Sequence, residues 1–341
     1  MLSLTQNVEA GNPDRQGQAG AYELLLNPWA RSAGLKGLVT GTVKGIESLR
    51  VNPAGLTFMG QTQVVLARTY YLQGTGVSLN GLGLGQRISD KGVLGISLMS
   101  VDFGEIDVTT TDFPEGIGAT YRPLFFNLGL GYAHQFSERI TTGFTLRLIS
   151  ESAQNVSAIG AAIDAGIQYH TNDFHFGISL RNIGAPMKFS GDGTVFTGNS
   201  PVTQLDPVNG NDTYSVAIRE NPFELPSQLN IGIGYDWKLS EDLHRVSFMG
   251  NFTSNSFSKD QFGLGVEYAL REMFMLRVGY QYENGMFDSE TRTNAHTGLG
   301  AGVSVEMPLK KGGDSKLGID YSYQTTSPFN GTHTIGLRFN L

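Results

Sequence analysis

From residue 62 to the C-terminus, apolar and polar side chains alternate with a period of two, segment after segment. In 158–170 the apolar set is Ile159, Ala161, Ile163, Ala165, Ile167 and Tyr169, against Gly160, Ala162, Asp164, Gly166, Gln168 and His170. In 273–283 it is Phe274, Leu276, Val278, Tyr280 and Tyr282, against Met275, Arg277, Gly279, Gln281 and Glu283. The alternation predicts fourteen strands, over 62–72, 76–88, 92–102, 123–136, 139–151, 157–170, 173–183, 227–238, 243–253, 260–270, 273–283, 296–307, 315–324 and 333–341. In these clean strands the apolar face carries no charge. The other face carries both signs: Asp164, Asp236, Glu267, Glu306 and Asp320 with Arg147, Arg181, Arg277 and Arg338. Glycine is common on that second face, as expected for a crowded interior or a close backbone approach.

A soluble sandwich also alternates, so the connections must discriminate. After every even strand comes a tight turn, such as Ser137–Glu138, Thr171–Asn172 or Arg271–Glu272; after the odd strands come 103–122, 184–226, 284–295 and 325–332. Long loops at one end and short turns at the other, with an even strand number, are the pattern of a closed antiparallel transmembrane β-barrel. The expected fold class is therefore all-β: a 14-stranded outer-membrane barrel over 62–341, preceded by an N-terminal extension over 1–61. The chain stops within its last strand, where Ile335, Leu337, Phe339 and Leu341 share one face, which suits a strand that closes a barrel with no free edge. Aromatics cluster near strand ends, with Tyr132, Phe136, Tyr169, Phe174, Tyr235, Trp237, Tyr268 and Phe339 on the short-turn side and Tyr71, Tyr280, Tyr282, Tyr321 and Tyr323 on the other. Two interfacial girdles are expected from them.

Composition narrows the classes further. There are 45 glycines in 341 residues, no cysteine, 24 Lys+Arg and 31 Asp+Glu. Glycine stands at about twice its usual share of roughly 7%. Mean hydropathy is −0.14, and no run approaches the ~18 apolar residues of a transmembrane helix. A net charge of −7 argues against nucleic acid as a partner. Without cysteine there are no disulfides or thiolate metal sites. The polar start, MLSLTQNVEAGNPDRQGQAG, has no basic region followed by an apolar core, so a signal peptide is expected to have been removed.

Motifs for chemistry are lacking. There is no GxGxxG, P-loop, GxSxG or HExxH. The six histidines show no ligand spacing; His170 and His175 flank one turn. Asp206, Asn209, Asn211 and Asp212 form a loose oxygen cluster without EF-hand spacing. Glu267 and Glu306 on the inward face read as members of ion pairs more readily than as an acid/base couple. No enzymatic activity, cofactor or metal is expected. Residues 1–61 do not alternate, yet contain Leu24, Leu25, Leu26, Leu35, Leu38, Leu49 and Val51, too apolar for a disordered tail. Part of 20–60 is expected to fold into the lumen as a plug or hatch, which fourteen strands leave wide enough. The loop 184–226 is long for an unstructured connection and carries apolar side chains; Phe189, Phe196, Tyr214 and Phe223 are the candidate partner-binding residues.

Three stretches carry a family resemblance. Residues 21–56, AYELLLNPWARSAGLKGLVTGTVKGIESLRVNPAGL, contain the small-residue run Ala30-Arg31-Ser32-Ala33-Gly34-Leu35 followed by Asn52-Pro53-Ala54-Gly55. FGISLRNIGAPMKF (176–189) has a strand-end Asn-x-Gly, and ELPSQLNIGIGYDW (224–237) follows it. Together these resemble the PorV/PorQ family within the wider FadL-like group of outer-membrane barrels. The resemblance implies a fourteen-stranded barrel with an N-terminal hatch, marked here by Asn52, Pro53, Ala54 and Gly55. It also implies a role in type IX protein secretion in Bacteroidetes-type bacteria. The partners it implies are a large translocon barrel and secreted cargo carrying a C-terminal signal domain, with outer-membrane lipid around a barrel that is monomeric by itself. Where PorV has an acidic, alanine-rich stretch before Asn-Pro-Ala, this chain has Thr42-Val43-Lys44-Gly45-Ile46-Glu47-Ser48, which points to a paralogue. The competing readings are a FadL-like transporter of hydrophobic small molecules and a general diffusion porin.

Overall fold

A computed structural model describes residues 15–199, 213–240, 243–288, 290–309 and 315–341. Fourteen strands form one closed antiparallel barrel. They are β1 (Thr62–Tyr70), β2 (Ser78–Arg87), β3 (Gly92–Asp102), β4 (Leu124–Gln135), β5 (Ile140–Ala153), β6 (Val156–Thr171) and β7 (Phe174–Gly184), then β8 (Gln228–Ser240), β9 (His244–Asn255), β10 (Gln261–Leu270), β11 (Phe274–Glu283), β12 (His296–Pro308), β13 (Lys316–Thr326) and β14 (Thr332–Asn340). Each pairs with its neighbour in sequence, and β14 closes on β1 from Gln63↔Asn340 to Tyr70↔His333. The strand count and alternation expected from the sequence hold, with ends displaced by no more than two residues. Closure leaves no edge unpaired, as the hydrocarbon interior demands.

The period of two sorts the side chains as the pattern requires. Leu66, Leu82, Ile96, Leu146, Ile178, Ile233, Leu264, Val278 and Leu337 are exposed to the outside. Arg147, Asp164, Glu267, Arg277, Asp320 and Arg338 are buried inside. The outward band therefore faces lipid, and its rims carry Phe136, Phe174, Tyr235 and Trp237 at the short-turn end and Tyr280, Tyr282 and Tyr321 at the other. Tyr71 departs from the expected girdle. It follows Val65, Ala67 and Thr69 on the inward side of the alternation and packs with Leu79, Met99 and Val101, so Tyr70 stands in the outer ring instead. Arg68 is the outward charge of β1; it donates to Asn80 Oδ1 at 3.2 Å near the long-loop end.

The connections divide by end as expected. β6 to β7 turns on Asn172 and Asp173, with positive φ at Asn172, and β10 to β11 turns on Arg271 and Glu272, both of which have positive φ. Paired positive φ gives the twist of a type I′ hairpin. At the opposite end two loops raise small hairpins of their own, Ile106–Asp107 with Thr120–Tyr121 and Val195–Asn199 with Thr213–Ala217.

One irregularity matters for the interior. Between Ile163 and Ala165 the β6–β7 register shifts, and Arg181 and Asn182 of β7 are both buried. The extra residue re-aims a second side chain inward, as bulges do. Asn182, at φ 58°, donates its N–H to Asp164 Oδ1 at 2.6 Å.

The inward glycines of the strands face the N-terminal segment. Gly81 and Gly83 meet the Trp29 ring, Gly131 meets Leu49, and Gly263 meets Leu38. At Gly177 a Cβ would stand 2.4 Å from the Thr40 carbonyl oxygen and 2.8 Å from Gly41 Cα. Backbone cannot yield as a flexible side chain can. Gly177→Val is therefore expected to destabilise the barrel by about 1–3 kcal/mol. The check is the temperature at which the heat-resistant folded band disappears on a detergent gel, which should fall.

Candidate functional site: a filled lumen between two mouths

The segment from Arg15 to Gln61 passes along the inside of the barrel from the long-loop end to the short-turn end. At its start Ala19 forms a parallel bridge with Glu224, Arg15 pairs with Glu224 at 2.6 Å, and the Arg15 guanidinium lies 4.2 Å over the Phe257 ring. At its finish Arg87 of β2 donates to the carbonyls of Thr57 and Met59, both at 2.7 Å. Between these anchors the segment contains only short helical turns, including α1 (Ala30–Gly34) and α2 (Ser48–Val51), and a 3-10 turn over Pro53–Phe58. Its apolar side chains Trp29, Ile46, Leu49, Leu56 and Met59 form a core with Val65, Ala67, Val93 and Ala133 of the wall. Burying a large apolar side chain contributes roughly 1.5–3 kcal/mol, so this core is substantial.

Irregular backbone at membrane depth must find partners inside the protein. Here the wall donates them. Gln168 donates to Thr40 O at 3.1 Å, Ser179 to Val51 O at 2.8 Å, Arg147 to Leu49 O at 3.0 Å, Arg181 to Leu24 O at 3.2 Å and Gln324 to Ala33 O at 2.7 Å. Within the segment, Arg50 donates to Leu26 O and Glu23 O, and Glu47 accepts from the N–H and hydroxyl of Ser32.

Asn52 holds the centre. Its Nδ2 donates to Thr40 O at 2.9 Å and to Ile167 O at 3.1 Å, while its Oδ1 accepts from Ala54 N–H at 3.2 Å. Asn52 is thus the N-cap of the turn that Pro53 opens, with Pro at a position where no N–H is needed. Gly55 stands where a Cβ would collide with Val43 O at 2.2 Å. The four residues of the Asn-Pro-Ala-Gly element therefore form a buried knot that joins the segment to β6.

The inward charges pair. Arg147 bonds Asp164; Arg277 bonds Glu267, which also accepts from Arg245 at 2.9 Å; Arg338 and Lys316 hold Glu306 at 3.0 and 3.2 Å. Near the short-turn end, His170 Nδ1 lies 2.6 Å from His175 Nδ1, and His175 Nε2 lies 2.9 Å from Asp236 Oδ2. These imidazoles are committed to each other and to a carboxylate. Among the described residues no cluster of His, Asp and Glu is arranged to hold a metal. Asp206, Asn209 and Asn211 with Asp212 lie outside the described residues.

The segment divides the remaining space. Toward the long-loop end is a cavity of about 710 Å³, lined mainly by uncharged polar side chains; toward the short-turn end is one of about 150 Å³ lined by Arg31, Lys44, Glu47, Asp236, Arg245 and Glu267 among others. The candidate partner residues fall into two groups. Phe189 and Phe223 stack at 5.5 Å at the base of the 184–226 loop, joined by the Met187↔Phe223 bridge and packed on Ala21, Leu24 and Leu225. Phe196 is exposed on the hairpin above, and Tyr214 lies on the hairpin's second strand, opposite Gly198.

The family model described as type IX secretion system membrane protein PorP/SprF matches residues 51–339. The chain belongs to this family. It is accordingly an outer-membrane barrel, and its long-loop end is the outer mouth. The type IX part of the sequence resemblance stands, while the match names PorP/SprF where the motifs suggested PorV/PorQ. No curated protein matches the chain. Among solved structures it is similar to the Pseudomonas putida toluene transporter TodX, at 13% identity over 92% of this chain and 97% of that one, with a TM-score of 0.56. The Ralstonia pickettii toluene transporter TbuX is similar at 14% identity, covering 92% and 98%, with a TM-score of 0.51. A Pseudomonas aeruginosa FadL homologue has 12% identity, 97% coverage of each chain and a TM-score of 0.48. At these identities the likeness concerns the fold of this PorP/SprF member.

Sequence reasoning did not single out Gln168, Ser179 and Gln324. Their inward position was readable from the alternation, but their acceptors are carbonyls of a segment without periodicity. Asp164 serves Arg147 and Asn182 together, so Asp164→Asn would leave a buried guanidinium unpaired. We expect a loss of about 3–5 kcal/mol, against about 1–3 kcal/mol for Asn52→Ala. Folded-band melting of both variants in detergent would check the order, and the Asn52→Ala segment should be cut faster by added protease.

Proposed function

We propose that this PorP/SprF-family barrel works as a protein-binding component of the type IX secretion apparatus, with its N-terminal segment acting as a plug and its outer loops carrying the partner surface. The observation that carries this reading is the filled lumen. An irregular segment bonded to the wall at Arg147, Gln168, Ser179, Arg181 and Gln324 suits a scaffold rather than an open pore. The loops supply what the lumen does not: Phe196, Val216 and Ile218 on one hairpin, Phe113 and Ile117 on the other loop, and Phe287 are exposed apolar side chains beyond the strands. Apolar side chains at these tips are the groups a partner would cover. In this reading the partner is a large translocon barrel or the C-terminal signal domain of secreted cargo. Carriage of such cargo in the manner of PorV is the finer form of the same proposal. The barrel itself acts as a monomer, and no catalytic step is assigned to it.

The second reading is transport of hydrophobic small molecules, favoured by the shared fold with toluene transporters. The larger cavity speaks against it, because Gln228, Asn230, Asn251, Asn255, Gln261 and Gln281 line it where an apolar passage would be needed. Affinity purification of the tagged protein from native outer membranes in gentle detergent separates the two. Co-recovery of a giant barrel or of proteins sharing a C-terminal domain, lost when 192–218 is replaced by Gly-Gly, is expected. Recovery of the barrel alone with a bound apolar molecule would overturn the secretion reading.

A further inference from the structure

The cavity of about 710 Å³ at the outer mouth has an unusual lining: ten of its side chains are carboxamides. They are not scattered. On β7 to β9, Arg181 donates to Gln228 Oε1 at 3.1 Å, Gln228 Nε2 donates to Asn255 Oδ1 at 2.7 Å, and Asn255 Nδ2 donates to Lys259 O at 2.7 Å. On β10 and β11, Gln281 Nε2 donates to Gln261 Oε1 at 2.8 Å and Gln261 Nε2 donates to Glu283 Oε2 at 2.7 Å. A carboxamide offers two N–H donors and two acceptor lone pairs. Within these ladders Gln228 and Gln261 each use one donor and one acceptor, which leaves one of each for a ligand.

Deeper on β8 and β9, Asn230 Nδ2 and Asn251 Oδ1 have no partner, although both residues are more than nine-tenths buried. A buried donor and acceptor left open on neighbouring strands cost free energy unless something fills them. The charged groups at the cavity wall hydrogen-bond neutral partners: Arg50 donates to Leu26 O and Glu23 O, Arg181 to Gln228 and Leu24 O, and Lys36 to Gln324, while Glu283 accepts from Gln261 and Asn294. Tyr22, on the floor formed by the N-terminal segment, keeps 41% of its surface exposed.

We propose that this vestibule is a binding site for an oligosaccharide presented from outside the cell. Adjacent hydroxyls of a sugar ring each donate and accept, which matches a carboxamide with one free N–H and one free lone pair. The planar ring of Tyr22 offers an apolar face for the C–H side of a sugar, with its hydroxyl left for solvent or ligand. The volume lies within the roughly 300–1,000 Å³ of ligand sites, enough for a short saccharide and open at the mouth for a longer chain. The site is independent of the partner surface on the loops.

The test uses the full chain in a sugar-free amine-oxide detergent, with saturation-transfer NMR against maltotriose, N,N′-diacetylchitobiose, mannotriose and galactobiose, and against the peptide Gly-Ser-Gly-Ser. At least one saccharide should receive saturation from the protein. Gln261→Leu should weaken that saccharide by about tenfold, through loss of a ladder amide. Leu25→Trp, which fills the floor and leaves both ladders intact, should weaken it similarly and serves if Gln261→Leu does not fold. Absence of transfer to all four saccharides would overturn the proposal, as would binding indifferent to both variants. Transfer to the peptide alone would replace the saccharide by an extended peptide chain.

Discussion

The structure depends on finding partners for a stretch of backbone that makes no regular secondary structure at membrane depth. An N–H or C=O left unpaired away from water costs several kcal/mol. The strands have few backbone groups to spare, since each is paired on both sides around a closed ring. Side chains of the wall therefore meet the need, and this fixes where Gln168, Ser179, Arg147, Arg181 and Gln324 stand. The same requirement explains why the interior is polar although it is full: the polar groups are the seats of the segment.

Close approach is the second condition. Side-chain donors reach a carbonyl only if the backbones on both sides come near, and the inward glycines allow it at Gly81, Gly83, Gly131, Gly177 and Gly263. Glycine in a strand sacrifices packing and conformational entropy. Here the loss is offset because Trp29, Leu49 and Leu38 fill the space each missing side chain leaves. The glycine-rich composition and the polar inner face are thus two sides of one arrangement, as are the bulge on β7 and the extra inward side chain, Asn182, that it supplies.

The barrel was legible in the sequence because lipid imposes a period of two on every strand, and the sorting of long and short connections removed the sandwich alternative. Asp164, Glu267 and Arg338 could be placed inside from that pattern alone. What they bond could not, since a partner strand's register is set by turns and bulges that alternation does not encode. Tyr71 shows that position near a strand end is not enough: it shares the side of Val65, Ala67 and Thr69, so its ring packs inside and not in the outer girdle. The carboxamide ladders were hidden for a similar reason. Gln228, Asn255, Gln261 and Gln281 lie on four consecutive strands spread over more than fifty residues of sequence, and only the register of their pairing brings them round one cavity.

The direction in which the N-terminal segment runs constrains assembly. It starts beside Glu224 at the outer mouth and joins β1 at the inner one, and β1 is also the strand on which β14 closes. Trp29 and its neighbours are packed against the wall between those two points, so the closed ring encircles the segment. It has no sideways exit unless the β1–β14 seam opens, and the finished barrel holds it the way a clasped bracelet holds a wrist.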